Sequence, residues 1–266
     1  MIRFTIITPV RNGALTIRDC IESVLAQTQD VQHIIVDGHS TDETMDIVNA
    51  DYADCTETLS ESDNGIYDAM NKGLRIARGD VIGILNSDDF YASNDVLSSV
   101  ANVFTDPEID SCYGDLVYIS RNHPNRMVRY WQSGEYAPGH FYSGWMPPHP
   151  TFFVRRAVYE KHGNFNLSVD SAADYEIMLR FLLKHNISVA YLKKILVYMR
   201  TGGKSCSSWP LRFRANLMDR KAWRINQLKP HFWTLWMKPL RKLPQFIRRP
   251  NHHPDGLGLS GGILKS

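Results

Sequence analysis

The chain has 266 residues, a formal charge of +2 and four cysteines. Its 43% hydrophobic and 22% charged residues are those of a globular protein, which excludes a disordered or fibrous chain, and no run reaches the roughly 20 apolar residues of a bilayer-crossing helix. Cys20, Cys55, Cys112 and Cys206 lie far apart and form no Cys-x-x-Cys pair, which excludes a disulfide scaffold or a cysteine zinc site and fits a reducing compartment. The apolar opening is short, carries Pro9 and lacks a small-residue cleavage site, so a first core strand is expected there rather than a leader. Ile2 to Thr8 reads as that strand. Ile17, Cys20, Ile21, Val24 and Leu25 recur at helical spacing, and His33 to Val36 is a second strand stopped by Asp37-Gly38. Ser40-Thr41-Asp42-Glu43 reads as a capping box for a helix running through Val48. Ile66, Met70, Leu74 and Ala77 mark another helix ending near Gly79, and Val81 to Leu85 is a buried-type strand that runs into Asn86-Ser87-Asp88-Asp89.

This alternation predicts an α/β fold with a mostly parallel sheet covered on both faces. Further on, Cys112 to Ile119 and Thr151 to Val154 are strand candidates, and Asp174 to Lys184 is a helix. From Trp209 to Arg249 aromatic and basic residues interleave, with Asp219 the lone acid; this reads as an appended helical tail. Four segments follow: 1–95 as the first half of one domain, 96–205 completing the same domain, 206–250 as the basic tail, and 251–266 as a disordered end.

Ligands of open parallel sheets bind beyond the carboxyl ends of the strands. Here those ends deliver Thr8-Pro9-Val10-Arg11-Asn12, Asp37-Gly38 and Asn86-Ser87-Asp88-Asp89, with Asp63-Asn64-Gly65 on a further loop before a helix. Taken singly, Asp37-Gly38 and Asn64-Gly65 are ordinary turns, and Asp88-Asp89 is a solvated loop or a cap. Their ordered series at successive strand ends points to one crevice lined with carboxylates, which calls for a cation; oxygen ligands and a phosphate partner favour Mg2+ or Mn2+.

The same series resembles the family 2 glycosyltransferases, which have the GT-A fold. The matching pieces are 8–13, 23–28, 36–44, 63–73 and 79–89, and the likeness extends over about residues 3 to 205. It implies a Rossmann-like central sheet flanked by helices, with a nucleotide-diphosphate sugar donor bound by the 1–95 half and the acceptor by the 96–205 half. Thr8, Pro9 and Asp37 would contact base and ribose with Asp63 nearby, and Arg11, Asn12, Asn86, Ser87 and Asp88 complete the donor set. The 86–89 loop corresponds to the family's Asp-x-Asp metal motif with Asn86 in the first acidic place, leaving Asp88 and then Asp89 as metal ligands. Ala173-Asp174 corresponds to a Glu-Asp segment whose Asp is the general base, so Asp174 is the expected catalytic residue. His149, Arg200 and Lys204 are candidates on the acceptor and diphosphate side.

The reaction so implied is a metal-dependent, inverting, non-processive transfer of one sugar to an acceptor hydroxyl in bacterial cell-surface glycan assembly. No Gln-x-x-Arg-Trp motif of processive synthases occurs. The tail suits an anionic membrane surface, which places the protein in the cytoplasm, peripheral to the inner face of the membrane, with a glycan or lipid-linked acceptor; packing on the core is the alternative for the same aromatics. Nucleic acid is not expected as a partner, since no binding module accompanies the charge. Two rivals stand beside this reading. A nucleotidyltransferase would carry a Gly-rich phosphate loop and release pyrophosphate, and an inactive GT-A scaffold at the membrane would tolerate loss of Asp88 and Asp174.

Overall fold

A computed structural model describes residues 2–202 and 209–250, with side chains from 215 onward in the second stretch. Strand β1 (Phe4–Val10) is buried along its whole length because it is central. It pairs in parallel with β2 (Val31–Asp37) on one side and β4 (Val81–Ile84) on the other, and β3 (Glu57–Ser60) joins β2, also in parallel. Helices α1 (Ile17–Leu25), α2 (Thr44–Asp51) and α3 (Ile66–Ile76) make the crossovers, each burying an apolar stripe against the strands. All three expected helices and the first three expected strands are present, with bounds that coincide or shift by up to three residues.

The sheet continues through the second half of the chain in the order β3-β2-β1-β4-β8-β6-β9-β5. Its further strands are β5 (Asp89–Tyr91), β6 (Ser111–Ile119), β7 (Met127–Trp131), β8 (Phe153–Arg155) and β9 (Val189–Arg200). β8 lies antiparallel to β4 and to the start of β6, β7 lies antiparallel to the end of β6, and β9 runs parallel to β6. β5 pairs antiparallel with β9. The sheet is therefore mixed but mostly parallel. Helices α4 (Val96–Val103) and α5 (Arg156–His162) cover this half, and α6 (Ala173–Met178) runs directly into a π-helical turn over Leu179–Lys184. That junction is one helix by periodicity, and the expected Asp174–Lys184 segment coincides with it.

One hydrophobic core joins the two halves: Ile7, Ile34 and Met70 belong to the same buried cluster as Phe141, Val154, Tyr175 and Phe181. A polar lock adds to it. Asn71 on α3 donates through Nδ2 to the Phe165 carbonyl and accepts the Phe165 N–H through Oδ1, both at 2.9 Å. A buried ion pair, Arg180 to Glu176 at 3.0 Å, secures α6, because Arg180 also donates to the carbonyls of Gly163 and Asn164. Each carboxylate oxygen has a donor, as a buried pair requires.

The C-terminal chain forms α7 (Trp209–Ile225) and α8 (Thr234–Leu240) followed by a short 3-10 turn over Leu243–Phe246. Trp223 is fully buried and donates through Nε1 to the Tyr175 hydroxyl at 2.9 Å. Asn226 donates to Glu176 at 3.1 Å. The first part of the tail thus packs on the core, as the alternative reading of its aromatics required, whereas Phe232, Trp236 and Ile247 remain exposed. Lys204, Cys206 and the end segment 251–266 lie outside the described residues. No helix among the described residues is long and apolar enough to cross a membrane.

Candidate functional site

Register brings the strand ends level. Val10 pairs with Asp37 and Asp37 with Ser60, so β1, β2 and β3 terminate along one row. The loops beyond that row are laced together. Asn12 donates its N–H to Ser40 Oγ at 2.8 Å and accepts the Thr41 N–H at 2.8 Å. Gly13 donates to Thr44 Oγ1 at 2.8 Å and Ala14 to Asp42 Oδ2 at 3.1 Å. Asn12 and His39 both hold positive φ, +57° and +61°, a conformation that costs free energy and persists only where surroundings enforce it.

Asp37 is buried at the bottom of this mouth. It accepts the Ser40 N–H and hydroxyl, the latter at 2.5 Å, and the Ser60 hydroxyl at 2.7 Å. The capping-box expectation for Ser40 is thereby corrected. α2 begins at Thr44 with no side-chain cap, and the Ser40 hydroxyl instead donates to the Asp37 carboxylate, a charged acceptor, while its oxygen accepts the Asn12 N–H rather than a helix N–H. Asp63 comes to the same place. A Cβ on Gly38 would lie 2.1 Å from Asp63 Oδ2, so the glycine is what lets that carboxylate rest on the β2 end. Asp63 Oδ1 accepts the Gly65 N–H at 2.8 Å, and Lys72, almost buried, ties the same loop by donating to the Ser62 carbonyl at 2.5 Å and pairing with Glu61 at 3.0 Å.

Thr8 does not face the mouth. Its hydroxyl is buried, 3.0 Å from His33 Nε2 and 3.7 Å from the Cys20 sulfur, so the Thr8 side chain is a packing group and any ligand contact there is left to the backbone and to Pro9. Burial with no solvent pushes the His33 imidazole down to about 3. Arg11 is exposed at the rim.

The β4 end supplies the second group of acids. Asp88 is half-buried, while Asp89 opens β5 fully buried and accepts the Asn86 amide at 3.0 Å. Burial first, and the neighbouring Asp88 charge second, hold the Asp89 carboxyl well above the usual range. Arg200 at the end of β9 is committed to this loop. Its guanidinium donates to the Asp88 carbonyl at 3.0 Å, pairs with Asp19 of α1 and stacks 4.8 Å above the Phe90 ring. Asn86 Oδ1 and Asp89 Oδ1 are buried without a partner. Among the described residues no three His, Cys, Asp or Glu side chains converge tightly enough to hold a metal by themselves. Two carboxylates and an amide oxygen with spare lone pairs fit a hard divalent cation that completes its shell with phosphate oxygens and water.

Asp174 opens α6 half-buried, its Oδ1 accepting the Tyr175 N–H at 2.7 Å. Burial first, and then the Asp174 charge, raise the phenol of Tyr67 on α3 well above its ordinary value. His149, lowered by burial, feels Asp174 as an opposing influence and sits edge-on to Phe165 at 5.5 Å. Burial raises the Tyr118 phenol on β6, and the Arg129 guanidinium, 3.9 Å above its ring, opposes that shift. Asp170 just upstream holds φ +46° and ψ −123°, a strained backbone beside the site. Tyr67, Tyr118, Ser60 and the Asp19–Arg200 pair were not singled out from sequence. Tyr67 sits inside the 63–73 motif, whereas Tyr118 and Asp19 carry no local signal.

A family model described as glycosyl transferase family 2 matches residues 5–163. A PGL/p-HBAD biosynthesis glycosyltransferase of Mycobacterium bovis is 31% identical over 208 residues, 76% of this chain and 78% of that protein. A chondroitin synthase of Escherichia coli is 31% identical over 179 residues, 66% of this chain but 26% of that protein. Among solved structures, S. aureus TarS 1-349 in complex with UDP-GlcNAc superposes with a TM-score of 0.65 at 20% identity, covering 81% of this chain and 65% of that one. The mannosyltransferase PcManGT from Pyrobaculum calidifontis, in complex with GDP-Man and Mn2+, gives 0.64 at 18% identity, covering 90% and 72%. The fold is that of the GT-A glycosyltransferases, and the chain is a glycosyltransferase belonging to glycosyl transferase family 2.

Proposed function

We propose that this glycosyltransferase moves a single sugar from a nucleotide-diphosphate donor to an acceptor hydroxyl by one inverting displacement, assisted by Mn2+ or Mg2+. The base and ribose would rest against Pro9, Asn12, Asp37 and Asp63, with Arg11 at the rim and the diphosphate over Asn86-Ser87-Asp88. Asp88 would hold the cation, with Asp89 behind it; when bound, the ion supplies Lewis acidity that offsets charge on the departing diphosphate. Asp174 would take the acceptor hydroxyl proton as the oxygen attacks the anomeric carbon and the bond to the diphosphate breaks. Tyr67 and His149 would border that carboxylate. The acceptor is a glycan or a lipid-linked one in bacterial cell-surface glycan assembly, reached from the inner face of the membrane. The observation that supports this reading is the meeting of Asp37 and Asp63 at the level ends of β1, β2 and β3, in a chain of glycosyl transferase family 2.

The reading is tested by incubating the protein with a panel of nucleotide sugars, Mn2+ and candidate acceptors, and following the released nucleotide. Free nucleoside diphosphate is expected. Asp174→Asn is expected to lower kcat by at least about a hundredfold while leaving nucleotide affinity unchanged. Pyrophosphate release, or full turnover by the variant, contradicts it.

A further inference from the structure

The second part of the C-terminal chain, residues 229–249, is firmly mounted yet faces solvent with apolar groups. Phe232 is 84% exposed, Trp236 67%, Leu243 60% and Ile247 83%. Exposed apolar side chains scattered singly are ordinary, but large ones gathered on one short segment mark an interaction site. The segment is also free of acids: no Asp or Glu occurs from Arg220 to Pro250, and Lys229, Arg248 and Arg249 are exposed within it.

The mounting is rigid. Thr234 donates to the Tyr142 carbonyl at 2.7 Å and Arg241 to the Ser143 carbonyl at 2.9 Å. Gly144, at φ +78°, lets the α8 backbone approach so closely that a Cβ would stand 2.5 Å from the Lys238 nitrogen. The Arg129 guanidinium lies 5.7 Å from the Phe246 ring and fastens the far end to β7. A preformed surface loses little conformational freedom when it docks.

Its position relative to the site is equally specific. Lys238 of α8 lies 3.5 Å over the Tyr175 ring, next in sequence to Asp174, and pairs with Asp219 at 2.7 Å. Trp223 of α7 donates to the hydroxyl of the same Tyr175 at 2.9 Å. The apolar, basic face and the acceptor end of the cleft thus belong to one packed unit.

Rings and aliphatics interleaved with cations match the interface of an anionic bilayer, where rings lie among headgroups and cations meet lipid phosphates. A second copy of this chain would bring like charges together across a symmetric contact. Nucleic acid would leave Leu243 and Ile247 without partners, since aliphatic side chains do not stack on bases as rings do. We infer that residues 229–249 are a rigid docking surface for an anionic lipid bilayer, and that the acceptor offered to Asp174 is one carried on a lipid in that bilayer; the second clause rests on the sugar-transfer reading above.

The test uses the full chain with sedimented vesicles of phosphatidylcholine alone or with 30% phosphatidylglycerol as the added lipid. Binding is expected to the anionic vesicles alone and to be released by salt. The triple variant Lys229→Gln, Arg248→Gln, Arg249→Gln is expected to bind about a hundredfold more weakly, from about fivefold per charge. Trp236→Ser with Ile247→Ser is expected to weaken binding at least about tenfold. Failure of the parent chain to bind anionic vesicles, equal binding by both variants, or a self-associating chain that the Trp236→Ser, Ile247→Ser variant renders monomeric would each overturn the docking surface. Nucleoside diphosphate binding with Mn2+ is measured on the same preparations. Its absence overturns sugar transfer and leaves the vesicle result standing, whereas intact nucleotide binding without vesicle binding overturns the docking surface alone.

Discussion

Replacing Gly38 with alanine isolates the donor mouth from the rest of the fold. The added carbon would stand 2.1 Å from Asp63 Oδ2 and 3.0 Å from its Cγ, against a normal contact of about 3.5 Å. The Asp63 carboxylate must therefore withdraw by more than about 1 Å, and it leaves both the end of β2 and the Gly65 N–H that now holds it at 2.8 Å. Asp63 is half-exposed and the displaced group remains hydrated, so stability should change little, with a melting temperature within about 2 °C of the parent. A ligand that hydrogen-bonds this carboxylate loses about 1.5–3 kcal/mol, which is about tenfold to a hundredfold in affinity. Calorimetric titration with nucleoside diphosphates in the presence of Mn2+ reads this directly. Affinity within twofold of the parent, at an unchanged melting temperature, would refute the placement of the nucleotide against Asp37 and Asp63.

Two further outcomes follow from burial and charge. Trp223→Ala should destabilise the fold by about 3–5 kcal/mol, because a fully buried ring and its hydrogen bond to Tyr175 are lost, whereas Trp236→Ala should cost less than about 0.5 kcal/mol; denaturant melts separate the two halves of the tail. His33 is held neutral, its folded value near 3 lying below the ordinary 6.5. The unfolded chain therefore binds the extra proton first as pH falls, so the stability His33 contributes is complete above about 6.5 and declines below it, by about 2 kcal/mol at pH 5. His33→Gln should flatten that part of the stability–pH curve, and an unchanged slope would show that the imidazole is hydrated in the folded protein.

The first half of the fold was legible because its elements are local. The apolar runs of β1, β2 and β4 and the 3.6-residue stripes of α1 and α3 are visible within short windows. β5 and β9 were not, since a three-residue strand carries no period and β9 mixes Lys193 and Lys194 into a run whose partners come from residues 89–91 and 111–119. Ser40 illustrates the limit of local rules. Its spacing to Glu43 fits a cap, but its hydroxyl donates to the buried Asp37 three residues earlier and its oxygen accepts the Asn12 N–H, which only the parallel pairing of β1 with β2 brings there. In the same way Asp37, Asp63 and Asp88 could be named as acids at strand ends, while the inward turn of Thr8 depends on His33 and Cys20, which tertiary packing alone brings beside it. The tail divided for a comparable reason. Composition sees rings and cations, but which rings are covered depends on where α7 meets Tyr175 and Glu176.

The most direct test of the central proposal, that acids at the strand ends and a divalent cation together grip the donor diphosphate, is Mn2+ electron paramagnetic resonance during titration with a nucleoside diphosphate. The signal of free Mn2+ should fall only when both protein and nucleotide are present, and Asp88→Asn should weaken this ternary binding by at least about tenfold at an unchanged melting temperature. Manganese that binds equally well to the Asp88→Asn variant, or nucleotide affinity indifferent to the metal, would contradict it.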